Sequence, residues 1–379
     1  MYITVRQKTR EQQLSWEDIL YDRVKATPWG VDGSSGTITR IVFTIPENIL
    51  SRVNIPAMID RLEKFNKDHE ELFAADRASL YRTFFIPKNS GGLRRIDAPN
   101  QPLMSALREL KNILEVDLGA LYHTSAFAYV KNRCTIDAIK KHQRNESNWF
   151  LKLDFKNFFG STTPQFVLNM ISQSFPFCEI VKAPAGKSAL EKALSLCFLN
   201  GGLPQGTPIS PTLTNIMMIP IDHLIFNTLA KRKIVYTRYA DDMLISAVES
   251  FSKDKMAAYV NKVLQQYHAP FSINEEKTRY GSRKGSNWNL GVMLNKDNQI
   301  TIGHMKKKHF KAAICNFIHD FRSGKRWPAD EVRTLVGQLS YYKSVEPDYF
   351  NYIIRHNNTK FHADIAHMIR ICLGVEIPF

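Results

Sequence analysis

KIVYTRYADDMLISAV, Lys233 to Val248, is two β-prone runs around Ala240-Asp241-Asp242. Branched and aromatic side chains favour strands, so the stretch predicts a hairpin with two acids at its tip. An Asp pair in a turn is ordinarily solvated turn chemistry. Here the acids sit between two apolar strands, where leaving them unpaired would cost stability.

Working outward, Leu213, Ile216, Met217, Ile221, Leu224 and Ile225 recur at helical spacing, with Pro220 as a kink. Ser210-Pro211 reads as the N-cap and first turn of that helix. NWFLKLDF, Asn148 to Phe155, predicts a strand ending at Asp154. Leu103 to Leu118 predicts a helix. YRTFFIPKNSGGLRRIDAP, Tyr81 to Pro99, predicts a hairpin turning at Asn89-Ser90-Gly91-Gly92. Further upstream, Met58, Ile59, Leu62, Phe65 and Leu72 predict an amphipathic helix from Ala57 to Phe73, and Pro28 to Gly36 a loop. Beyond Gly303 the pattern is helical and basic, with twelve Lys and Arg against seven Asp and Glu. The expected fold class is α+β with an appended helical bundle.

Asp154 at a strand end and Asp241-Asp242 at a hairpin tip could hold a pair of divalent cations. Nucleotidyl transfer uses two such ions roughly 4 Å apart. Magnesium takes hard oxygen ligands and keeps several waters, so two or three carboxylates suffice.

The hairpin follows LDFKNFFGS (Leu153 to Ser161) and GLPQGTPISPTLTN (Gly202 to Asn215). In this order and spacing the chain resembles bacterial reverse transcriptases of the retron and group II intron type, from about Phe84 to Leu294 and more weakly to Tyr352. The resemblance implies a right-hand polymerase with fingers and an antiparallel palm sheet over 76–302, a helical thumb over 303–379, and an N-terminal extension over 1–75 whose role is unassigned. It implies that Asp154 and Asp241 bridge two Mg2+ ions, with Mn2+ an alternative, and that Asp242 is a weaker third ligand. Phe159 resembles the steric gate against a ribose 2′-hydroxyl. Gln205 and Gly206 resemble the loop against the incoming nucleotide, where Gly206 permits close backbone approach. Arg94, assisted by Lys88, resembles the fingers arginine that grips triphosphate. Lys277, in NEEKT, resembles the lysine that protonates pyrophosphate. Leu290-Gly291 resembles the primer grip, and Tyr239 is read as a floor under the primer end.

The implied activity is RNA-directed DNA synthesis from deoxynucleotides, on a dedicated non-coding RNA template and in phage defence. Two other readings are template-independent or protein-primed synthesis at the same site, and a silent RNA-binding scaffold. The retron Val-Thr-Gly signature is not seen after the hairpin, which leaves the subfamily open, and no ribonuclease H, maturase or endonuclease module is recognised. A net charge of +15 from 51 Lys and Arg against 36 Asp and Glu suits a polyanionic partner. Five dispersed cysteines argue against a disulfide framework or structural zinc. MYITVRQKTREQQ lacks a signal-peptide core and no stretch suits a bilayer, so no membrane partner is expected and the expected location is the cytoplasm. A homo-oligomer or a partner protein is left open.

Overall fold

A computed structural model of the protein describes residues 2–5, 40–43, 53–88, 91–115, 122–285 and 290–374. The chain forms two compact units, one of residues 1–138 and 149–280, the other of residues 139–148 and 281–379.

In the first unit, β1 (Tyr2–Val5) pairs in parallel with β2 (Arg40–Phe43). Helix α1 (Ile55–Asp68) is capped by Asn54, whose Oδ1 accepts from the Ala57 amide at 3.0 Å. It buries Met58, Leu62 and Phe65, the stripe that the spacing predicted. The expected helix to Phe73 is interrupted at His69, and a separate turn of helix covers Glu70–Ala74. The expected hairpin is formed by β3 (Tyr81–Pro87) and β4 (Leu93–Pro99), paired from Tyr81↔Pro99 to Pro87↔Leu93. Of its turn, Asn89 and Ser90 lie outside the described residues. Helix α2 (Gln101–Glu115) follows, and residues 116–118 of the expected helix lie outside the described ones. The Pro28 to Gly36 stretch also lies outside the described residues.

Helix α3 (Thr135–Arg144) leads to β5 (Trp149–Asp154), the predicted strand. Period-two alternation puts Lys152 and Asp154 on one face and Leu151 and Leu153 on the other. Leu151 and Leu153 are fully buried, which stabilises by about 1.5–3 kcal/mol each. A short helix α4 (Phe158–Ser161) follows β5. The rings of Phe155 and Phe158 pack on Phe271 at 4.8 and 4.9 Å, tying β5 and α4 to one core.

Helices α5 (Ser210–Met217) and α6 (Ile219–Ala230) divide at Met218, just before Pro220, as the predicted kink requires. Ser210 is not the N-cap. Ile209 holds that position, and the Ser210 hydroxyl instead donates to the Pro204 carbonyl at 2.9 Å. The buried hydroxyl thus closes the preceding loop rather than the helix end.

Strands β6 (Val235–Tyr239) and β7 (Asp242–Ala247) form the hairpin of the opening stretch. With β5 and β8 (Arg279–Ser282) they make a sheet of order β6-β7-β5-β8. The register sets Asp154 opposite Asp242 and Tyr239 opposite Asp242.

In the second unit, β9 (Met293–Leu294) pairs with β10 (Ile300–Thr301). Four helices follow, α7 (His304–Arg322), α8 (Ala329–Val345), α9 (Pro347–Lys360) and α10 (Ile365–Leu373). Phe310, Ile314, Phe317 and Ile318 of α7 are buried, as are Val332, Leu335, Leu339 and Tyr342 of α8, at the i, i+3/i+4, i+7 spacing of helix-on-helix packing. Glu346 ties strand to bundle, accepting from the Ile302 amide at 3.2 Å and pairing with Lys307. Strands beside helices, with a helical tail, give the α+β class expected. All five cysteines are free thiols. Among the described residues, no helix is long and apolar enough to cross a membrane.

Candidate polymerase site

The left-handed turn at Ala240, φ 57, lifts Asp241 and Asp242 to the end of β7. Its geometry is set from beneath. Arg238 is fully buried and its Nη1 donates to the Ala240 carbonyl at 3.0 Å. The same guanidinium forks onto both Asp222 oxygens, with Nε at 2.9 Å and Nη2 at 2.8 Å, and Nη2 reaches Asn215 Oδ1 at 3.2 Å. Tyr236 adds a hydroxyl donor to Asp222 at 2.7 Å. This charge pair is dry, and its hydrogen bonds compensate for the cost of burying it.

Asp154 is buried at the end of β5, and its carbonyl accepts from the Asn274 amide at 2.7 Å. That bond, with Lys156 N to Ser272 O at 2.8 Å, draws the 271–277 segment alongside the strand. It delivers Lys277, whose Nζ lies 3.0 and 3.2 Å from the Asp154 carboxylate oxygens. Lys152 Nζ stands 3.0 Å from the buried Oδ1 of Asp242 as its ion-pair partner. Burial raises the pKa of Asp241, and the neighbouring Asp242 and Asp154 carboxylates raise it further. Burial also raises Asp242, against the pull of Lys152.

The donor set fits divalent cations: hard carboxylate oxygens on adjacent strands, mutually repelling and faced by the cationic Lys152 and Lys277. Among the described residues no three His, Cys, Asp or Glu side chains already converge as a metal cage. Asp154 is turned to Lys277 and Asp242 to Lys152. Lys152 was missed in the sequence. Its signal was the strand alternation, which places residue i+2 on the same face.

Phe159 is half-buried on α4 and packs against the core. Its carbonyl accepts from the Leu203 amide at 3.0 Å, so the Phe159 turn and the Leu203-Pro204-Gln205-Gly206 loop are one body. The contact requires glycine at 202, where a Cβ would meet the Gly160 carbonyl oxygen at 2.2 Å. Gln205 is half-buried, and its carbonyl accepts from the Asp97 amide at 2.7 Å. Gly206, φ 118, makes a close approach to the base of the hairpin: a Cβ there would meet Ile96 Cγ2 at 2.9 Å and Asp97 O at 3.0 Å.

Lys88 and Arg94 are exposed near the hairpin tip, whereas Arg95 Nε is engaged by Asp97 Oδ1 at 2.8 Å. Burial raises the pKa of the Tyr129 hydroxyl, the charges of Asp241 and Tyr239 raise it further, and Arg94 opposes them. The hairpin arginine, Tyr129 and the acid turn therefore share one electrostatic neighbourhood. Tyr239 is half-buried beside Asp242. Leu290 and Gly291 belong to the second unit, where they form a turn with φ 53 and 88. Lys306 Nζ donates to the Gly291 carbonyl at 2.7 Å, fastening that turn to α7.

A family model described as "Reverse transcriptase (RNA-dependent DNA polymerase)" matches residues 86–316. The retron Ec83 reverse transcriptase of Escherichia coli is 28% identical over 298 residues, spanning 76% of this chain and 89% of that one. The retron Mx65 reverse transcriptase of Myxococcus xanthus is 24% identical over 350 residues, spanning 90% of this chain and 75% of that one. Among solved structures, a telomerase from Candida albicans matches with a TM-score of 0.44 and 14% identity, over 77% of this chain and 60% of the telomerase chain. The chain thus spans less than two thirds of that telomerase.

Proposed function

The chain belongs to the reverse transcriptase family, that of the RNA-dependent DNA polymerases, and on that premise we propose that it adds deoxynucleotides by two-metal nucleotidyl transfer at Asp154, Asp241 and Asp242. The observation that carries the reading is the register that sets Asp154 against Asp242, at the mouth of a turn held by a buried arginine. When bound, a pair of divalent ions, Mg2+ by the hard-oxygen donors or Mn2+ as the alternative, lowers the pKa of the 3′-hydroxyl and stabilises the leaving group. Asp154 and Asp241 would hold the ions, and Asp242 would add a weaker ligand beside the primer end. Lys277 and Lys152 pair with Asp154 and Asp242, and would give up those contacts if the carboxylates held metal. Lys277 then lies where it can give a proton to pyrophosphate.

Arg94, with Lys88, closes onto the triphosphate, where a guanidinium fork matches phosphate oxygens. Phe159, fixed to the Gln205-Gly206 loop, excludes a ribose 2′-hydroxyl. Tyr239 supports the primer end, the Leu290-Gly291 turn grips its backbone, and the basic helices from residue 303 form the thumb that tracks the duplex. The four-stranded sheet serves as the palm and the β3–β4 hairpin as the fingers. The resemblance to bacterial retron reverse transcriptases supports a dedicated RNA template, a cytoplasmic setting and a role in phage defence.

Single-nucleotide insertion on an RNA template, with dNTP and rNTP compared, tests the reading. Wild type is expected to require divalent metal and to prefer dNTP, and Asp241→Asn to be inactive. Phe159→Ala is expected to erode the preference by about 10-fold or more, since a pocket contact of this kind discriminates on that scale. Equal use of rNTP and dNTP by wild type would contradict the proposal.

A further inference from the structure

Tyr129 stands out from a loop that is otherwise locked. His123 to Ala128 and Val130 are all buried, whereas Tyr129 is 54% exposed. The loop is bolted to β6 by Arg238 N to Ser125 O at 2.6 Å, by Phe127 N to Arg238 O at 2.9 Å, and by a bridge between Ala126 and Arg238. Asn215 Nδ2 donates to the Ala128 carbonyl at 2.8 Å, and Arg133 Nη1 holds the carbonyls of His123 and Ala126 at 2.8 and 2.7 Å. Arg238 immediately precedes Tyr239 and supports the acid turn, so the bonds that fix the turn also fix this loop.

At Tyr129 the backbone has φ 61, a left-handed conformation that a ring-bearing residue adopts at a cost. Glycine or asparagine would make the same turn more easily. The chain instead keeps an aromatic ring there, more than half in solvent, where burial alone gives little return. Through the bonds to Arg238 its loop lies beside the end of β6, where the strand runs through Tyr239 into the turn that carries Asp241, the residues assigned to the primer end and the metal site. A pre-set ring bordering that space offers a π-face, which every base can use.

We propose that Tyr129 is a substrate-positioning residue whose ring stacks on the base pair being formed and holds it in register over Asp241. The role rests on the polymerase reading of the same site. It is sequence-tolerant, since stacking reads no base edge, and it belongs to the ring rather than the hydroxyl.

Single-turnover insertion of each of the four dNTPs by wild type, Tyr129→Phe, Tyr129→Ala and Tyr129→Gly, alongside thermal unfolding, tests it. Tyr129→Phe should stay within about 2-fold of wild type, and Tyr129→Ala and Tyr129→Gly should lose about 10-fold or more in kcat/KM with all four, chiefly through KM. Thermal midpoints should be unchanged for Tyr129→Ala, and unchanged or raised for Tyr129→Gly, which relieves the backbone strain. Retained kcat/KM in Tyr129→Ala would overturn the proposal. So would a loss in Tyr129→Phe as large as in Tyr129→Ala, or a loss that tracks a fall in thermal midpoint. An inactive wild type would instead fail the polymerase reading itself, and this proposal with it.

Discussion

Arg238 and Asp222 sit in the core with both side chains wholly buried, and the pair supports the acid turn through the Ala240 carbonyl. Removing one partner of such a pair strands the other. Arg238→Met is therefore expected to cost about 3–5 kcal/mol in denaturant unfolding. Arg238→Met combined with Asp222→Leu should recover much of that stability, yet leave insertion activity low because the Ala240 carbonyl has lost its donor. Recovery of full activity in the double variant would refute the link from network to turn. At this scale the sequence was legible where chemistry announces itself in short motifs: the register sets Asp154 opposite Asp242, with Asp241 in the adjoining turn, although the three side chains do not converge as a metal cage. Arg238, Asp222 and Asn215 were illegible, since partners up to 23 residues apart carry no local pattern. Tyr129 was equally silent, because exposure and a positive φ are properties of the folded loop.

The hairpin of β3 and β4 is anchored at its base. Asp97 receives Thr83 Oγ1 at 2.6 Å and Arg95 Nε at 2.8 Å, while its amide reaches the Gln205 carbonyl. Gly206 makes that docking possible. Gly206→Ala would place a methyl group against Ile96 and Asp97 at a φ that disfavours any side chain. We expect it to destabilise by about 1–3 kcal/mol, to speed amide exchange at Asp97, and to raise KM for dNTP by loosening the hairpin. Unchanged exchange at Asp97 would mean the loop and hairpin are held independently. Elements were the most legible level, because periodicity and turn residues are local: both hairpins, β5 and the Pro220 break lie where the pattern puts them. Two details escaped. Ser210 resembled a cap but serves the Pro204 carbonyl. The close approach of Gly206 to Ile96 and Asp97 of β4 likewise carries no local signal.

Each of the two units carries a histidine that folding keeps neutral. Burial lowers His142 to a pKa of about 3, with help from Lys141, and lowers His223 to about 3, with help from His123 and against Asp222. The unfolded chain takes up both protons near pH 6.5, and the folded chain only near 3. Stability is therefore lost as pH falls below 6.5, by about 1.4 kcal/mol per pH unit for each histidine. Unfolding free energies from pH 7 to 5 should show that slope, and it should shrink in a variant carrying His142→Gln and His223→Gln. An identical slope in the variant would contradict this. The family was legible from three motifs in order, whereas the division into units at residues 139–148 and 280 was not, since no change in composition marks it. The most direct test of RNA-templated DNA synthesis at this site is to sequence the nucleic acid that co-purifies with wild type and with the Asp241→Ala, Asp242→Ala variant. A defined RNA bound by both proteins, with complementary DNA only on wild type, is the predicted result. DNA on wild type that matches no bound RNA, or complementary DNA on the double variant, would contradict it.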